Sequence, residues 1–154
     1  MENAPARGCA FGDYNNDGVL DVAVNCINGS PQLLRCISTL NRNWIKIKLV
    51  GTKSNRSGIG SKVMVSALTS PDAERPLVQT EELRSGGSYF SQNDLRLHFG
   101  LDQAKRVDLV RVSWLSGQVD LFRDLEVNRL YVLEEGGKIL KSDPLTPARL
   151  KAKA

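Results

Sequence analysis

The chain has 154 residues, 41% of them apolar, and 21 basic against 17 acidic residues give a net charge of +4. That is enough for one domain, or one domain with a small appendage, around a real core. The two signs are interspersed except in the tail, which argues against nucleic acid; no run approaches the ~18 apolar residues of a membrane span, and the start, "MENAPARGC", lacks the apolar stretch of a signal peptide.

The first 40 residues read as two short strands, "GCAFGD" and "DVAVNC", flanking an acidic bend, with "QLLRCI" (32 to 37) as a third. So few strands cannot hide both faces of a sheet. Cys9, Cys26 and Cys36 form no CxxC pair, so neither a zinc site nor a complete disulfide framework is expected. A hairpin at the bend brings Cys9 and Cys26 near enough to bridge, with buried free thiols the preferred reading.

From Trp44 the pattern is a succession of short alternating runs with almost no helical periodicity. "WIKIKLV" sets Ile45, Ile47 and Leu49 against a wet face carrying Lys46 and Lys48, and "KVMVSA", "LVQTEEL", "LRLHFGL", "VDLVRVSW", "QVDLF" and "RLYVLEE" follow. In "VDLVRVSW" the apolar phase slips between Leu109 and Val110, the mark of a bulge or of burial on both faces. About seven strands in this length predict a β-sandwich, with "LSGQ" as a hairpin turn. The expected organisation is therefore all-β: residues 1–40 as a separate leading segment, 41–136 as the sandwich and 137–154 as a disordered tail.

The bend "DYNNDGVLD" (13 to 21) carries the chemistry. Asp13, Asn15, Asp17 and Asp21 stand at positions one, three, five and nine, Gly18 at six supplies the turn, and the Val19 carbonyl falls at seven. Oxygen donors in this register wrap a hard cation. Two carboxylates about 4 Å apart repel by about 4 kcal/mol at an effective dielectric of about 20, so the compact loop calls for an ion. Calcium, with its larger and more variable shell, suits a flexible loop better than magnesium. It is not an EF-hand: Val24 stands where the bidentate glutamate belongs, and strand follows the loop instead of helix. The alternative is an Asx-rich turn without an ion.

Other stretches are weaker. "RSGGSYFSQND" gathers Arg84, Ser85, Ser88, Tyr89, Gln92 and Asp94 as a possible polar-ligand or sugar loop, although its glycines and hydroxyls also suit plain turns. His98, the one histidine, is expected to face solvent beside Arg96, and no GxSxG accompanies the serines, so catalysis is not expected. "GTKSNRSGIGS" is glycine-rich but lacks the GK[ST] ending of a phosphate loop and reads as a connection.

Two resemblances gather these observations. "GCAFGDYNNDGVLDVAVNC" resembles a repeat of the FG-GAP/VCBS type, the blade unit of integrin-like β-propellers, whose loop binds calcium. The segments "NRNWIKIKLVGTKSNRSGIGSKVMV", "ELRSGGSYFSQNDLRLHFGL" and "VDLVRVSWLSGQVDLF" resemble, in order, the ASPIC/UnbV domain that usually follows such propellers at the C-terminus of secreted proteins. The resemblance implies a partial blade and then a sandwich, at the end of a longer protein whose other blades are missing here. It also implies an extracytoplasmic location, calcium as cofactor, and a non-catalytic adhesion or interaction role toward a protein or glycan. The alternatives are a calcium-dependent role in natural-product biosynthesis, by analogy with UnbV-type proteins, and a purely structural propeller cap.

Overall fold

Alternating apolar residues build strands throughout, and the described residues contain no helix. The computed structural model describes residues 5–38 and 40–145. They fall into two compact units: the residues up to Leu40 together with Ser85–Asp94, and Asn41–Arg84 together with Leu95–Pro144.

In the first unit β1 (Ala6–Gly12), β2 (Asp21–Cys26) and the short β3 (Gln32–Leu34) form an antiparallel sheet in that order. The acidic bend is the β1–β2 connection, with Gly12 opposite Asp21 at its base. Cys9 pairs with Val24 and Cys26 with Ala6, so the hairpin offsets the two thiols, and all three cysteines are free.

The second unit is a sandwich of two four-stranded sheets. β4 (Asn43–Val50), β7 (Leu97–Asp102), β10 (Arg129–Glu134) and β11 (Lys138–Pro144) form one sheet in the order β11-β10-β4-β7, with β10 parallel to β4. β5 (Lys62–Ala67), β6 (Leu77–Glu82), β8 (Arg106–Ser113) and β9 (Val119–Glu126) form the other, in the order β6-β5-β8-β9. Ile45, Ile47 and Leu49 of β4 meet Val63, Val65, Val110 and Val112 from the opposite sheet, and Phe99 and Leu133 complete the buried centre. The phase slip read in β8 is real and shared. Val107 and Val110 are both buried, as are Phe122 and Leu125 of β9, while Asp108 and Asp124 leave a gap in the ladder where Asp124 takes φ 55°.

Three expectations are corrected. Lys46 is not on a wet face: it is 1% exposed, with its ammonium 5.5 Å from the centre of the Trp44 ring, which supplies part of the compensation a buried cation needs. His98, opposite Lys46 in the β4–β7 register, is half-buried and stacks on Trp44 with ring centres 5.8 Å apart. The disordered tail expected over 137–154 is overturned for Lys138–Pro144, which is β11 and pairs with β10; residues 146–154 lie outside the described residues.

One carboxylate ties the sandwich's connections. Glu135, just past β10, is buried, and its Oε2 accepts the backbone N–H groups of Thr52, Lys53 and Ser54 at 2.8, 2.7 and 2.7 Å. Its Oε1 accepts the hydroxyls of Ser54 and of Ser116 in the β8–β9 turn. The glycine-rich 51–61 loop therefore does cradle an anion, and the anion is the chain's own. Burial raises the Glu135 carboxyl, but the Ser116 hydroxyl and the N–H groups of Ser54, Thr52 and Lys53 outweigh it and hold it at about 2, against an ordinary 4.5. A depressed folded value contributes stability above the unfolded value that disappears as pH falls through the folded one. Urea midpoints should thus fall between about pH 4.5 and pH 2 in the native chain and fall less steeply in Glu135→Gln. Glu135→Ala strands several donors and should cost about 2–3 kcal/mol at neutral pH.

Candidate functional site

The β1–β2 loop is built by its own carboxylates. Asp13 accepts the N–H of Asp17 on Oδ1 at 3.1 Å and that of Gly18 on Oδ2 at 2.8 Å, folding the chain back on itself. Gly18 takes φ 87°, the left-handed conformation the turn requires. Asn15 Oδ1 also accepts the Asp17 N–H at 3.3 Å, and its amide donates to Asp17 Oδ2 at 2.7 Å. Asp17 Oδ1 accepts the N–H of Val19 at 3.0 Å, while Arg35 reaches Oδ2 at 3.4 Å. For Asp17 burial acts upward, but Asn15, the Val19 N–H and Arg35 together hold the carboxyl below its ordinary value, so it is charged at neutral pH.

The structure thus brings Asp13, Asn15, Asp17 and Val19 together. Asp21 stands apart from that set, at the first position of β2. Its Oδ1 accepts the Cys36 N–H at 2.8 Å, and its Oδ2 has no hydrogen-bond partner although the residue is 1% exposed. Asp13 and Asn15 are equally buried, at 1% each. Among the described residues no group of three or more His, Cys, Asp or Glu side chains is gathered as metal ligands would be. The donor set is all oxygen, the kind a hard cation takes, and the orphaned Asp21 Oδ2 is a buried acceptor with lone pairs to offer. Arg35, which sequence reasoning missed, brings a cation to the loop through Asp17; nothing in its local sequence marks it.

The 84–94 stretch is also resolved residue by residue. Its segment Ser85–Asp94 runs along the outer edge of β1. Cys9 N–H donates to Ser88 Oγ at 3.4 Å, Phe11 N–H to Asn93 Oδ1 at 3.0 Å, and Asp94 N–H to the Phe11 carbonyl at 3.0 Å. The approach is so close that a Cβ on Gly8 would lie 2.1 Å from the Tyr89 carbonyl oxygen. Gln92 accepts the Gly86 N–H at 2.7 Å and donates to the Asn93 carbonyl at 3.0 Å. Ser88 and Gln92 therefore shape the loop, together with Asn93, which the sequence reading passed over. Arg84 belongs to the other unit and lies 3.6 Å from Glu82. Ser85 is exposed and Asp94 half-buried.

What the loop presents outward is aromatic. Tyr89 and Phe90 pack edge to face, with ring centres 4.4 Å apart, and the Arg7 guanidinium sits 4.3 Å over the Tyr89 ring. Phe90 is 86% exposed and held at φ 49°, a strained conformation for a bulky residue. The aromatic pair "YF" was visible in the sequence; its strained backbone was not.

The comparisons bear on the second unit more than on the first. The sequence model described as "ASPIC and UnbV" matches residues 51–140, which takes in β5 to β10, the Glu135 cradle and the 84–94 stretch. That match stops short of the acidic loop, so the likeness of residues 8–26 to an FG-GAP/VCBS repeat rests on the sequence alone. No curated protein matches the chain. With more than half its length matched, and with three separated motifs in order along an all-β sandwich, the chain belongs to the ASPIC and UnbV family.

Proposed function

We propose that this chain is a calcium-binding, non-catalytic interaction module acting outside the cytoplasm. Asp13, Asn15, Asp17, Asp21 and the Val19 carbonyl hold the ion, and the aromatic tip of the 84–94 loop meets a protein or glycan partner. The observation that carries the calcium reading is the second carboxylate oxygen of Asp21, buried without a donor. A buried carboxylate oxygen left unmatched costs about 1–3 kcal/mol or more, and a bound cation removes that cost. The repeat likeness of residues 8–26 points the same way. Recognition at 84–94 is supported by the strain at Phe90, which leaves a ring that packs only edge-on against Tyr89 86% exposed to water. The non-catalytic reading is supported by the single histidine, His98, being engaged in stacking on Trp44.

Calorimetric titration of the full chain should show about one calcium site with a dissociation constant of about 0.1–1 mM. At tenfold excess the ion stabilises by about 1.4 kcal/mol, a rise of a few degrees in melting temperature that a chelator reverses. Asp17→Ala should abolish the heat of binding while leaving the sandwich strands folded. Arg35→Ala should tighten binding by up to about fivefold, the equivalent of about 1 kcal/mol, because it removes a cation that competes for Asp17 Oδ2. An unchanged isotherm in Asp17→Ala would refute the assignment.

The recognition loop has its own test. Phe90→Gly relieves the positive φ and should leave stability unchanged or raise it by about 0.5–1 kcal/mol. If Phe90 is held for a partner, this variant should lose partner binding while remaining fully folded. A clear loss of stability would instead show the ring to be part of the loop's own packing.

A further inference from the structure

The second unit contains a cavity that neither the calcium reading nor the 84–94 loop accounts for. It is an open cleft of about 350 Å³ where the β5–β6 connection, residues 68–71, faces the turn that leads into β8. That is the lower end of the range for small-molecule sites, about 300–1,000 Å³. Leu68 and Pro71 give it an apolar wall, and Lys105 and Arg106 also line it, bringing two cationic side chains.

The charges in the cavity are not balanced from within. Asp108, its one carboxylate, is engaged in shaping the wall, where Oδ2 accepts the Leu68 N–H at 3.0 Å. Arg106 is fixed by donating from one terminal nitrogen to the Asp124 carbonyl at 3.1 Å, which leaves its other N–H groups for a ligand. Lys105 has no ion-pair partner among the described residues, and the hydroxyls of Thr69 and Ser70 stand on the same rim. Both anchors lie at the break in the β8–β9 ladder, where Asp108 and Asp124 are unpaired and Asp124 takes φ 55°.

These features select the ligand class. A neutral apolar guest would dehydrate two cations without pairing them, and a bare inorganic anion would leave the Leu68 and Pro71 wall unused. No aromatic side chain lines the cavity, so the ring stacking that holds a sugar is missing. We propose that the cavity binds a small organic anion in which a carboxylate adjoins an apolar body, an aryl or short-chain acyl carboxylate, with the carboxylate at Lys105 and Arg106 and the body against Leu68 and Pro71. This site is independent of calcium.

The test is a titration of the uniformly ¹⁵N-labelled full chain with benzoate, hexanoate, acetate and benzyl alcohol, followed by amide shifts. Benzoate and hexanoate should produce saturable shifts at Leu68–Ser70 and Lys105–Arg106 with millimolar dissociation constants, as expected for ligands of this size. Acetate and benzyl alcohol should bind at least tenfold more weakly, and calcium should change none of these values. Lys105 is exposed, so Lys105→Glu should keep the dispersed spectrum of the folded chain and weaken benzoate at least fivefold. Benzyl alcohol binding as well as benzoate, shifts confined to other residues, an unaltered benzoate affinity in Lys105→Glu, or no saturable shift at all would each overturn the proposal.

Discussion

A carboxylate taken out of water has to be met by donors or by a cation, and that requirement organises both units of this protein. In the sandwich it is met from within. Glu135 gathers three consecutive backbone N–H groups and two hydroxyls, so the β4–β5 loop, the β8–β9 turn and the end of β10 share one anchor. Asp120 does the same on a smaller scale. It accepts the Trp114 indole N–H and the Gly136 N–H on Oδ2 and the Gln118 amide on Oδ1. Although its burial acts upward, the bonds from Gln118, Gly136 and Trp114 hold its carboxyl below the ordinary value. In the β1–β2 loop the same accounting leaves a remainder, because Asp13 and Asp17 are supplied with donors and half of Asp21 is not. The saturated carboxylates fix structure; the unsaturated one carries the calcium proposal.

Much of this was legible in the sequence where the physics is local. Alternation located the strands of the sandwich core, and the slip at Leu109 and Val110, read as a bulge or burial on both faces, corresponds to a change of buried phase between Val107 and Val110 with no shift of register. What alternation cannot reveal is whether the second face of a strand is covered. It therefore set Lys46 and His98 in water when one is buried and the other is stacked on Trp44. It likewise missed β11, because "KILKSDP" is held by pairing with β10 and not by an apolar face of its own. The glycine-rich 51–61 loop was correctly set aside as a phosphate loop, yet its anion lies 81–83 positions away, at a distance no local pattern encodes.

The recognition stretch illustrates how composition misleads about roles. Serines, amides and glycines suggested a polar site, and the structure employs Ser88, Gln92 and Asn93 to hold the segment against β1. The close approach at Gly8 and the bonds to Cys9 and Phe11 also cover a strand edge that would otherwise offer itself to other chains. With those groups committed to the loop, its exposed aromatic surface is Tyr89 and Phe90, so the proposed recognition would rest on apolar contact more than on hydrogen bonding.

The account turns on Asp21 completing an ion site with Asp13, Asn15 and Asp17. Tyr14 lies within the same loop and is partly exposed, so it serves as an antenna for terbium, a luminescent stand-in for calcium. Excitation of tyrosine should give saturable terbium emission that calcium displaces, and Asp21→Asn, which keeps the shape and removes the charge, should weaken terbium binding at least tenfold. Emission that calcium does not displace, or that is as strong in Asp21→Asn as in the native chain, would contradict it.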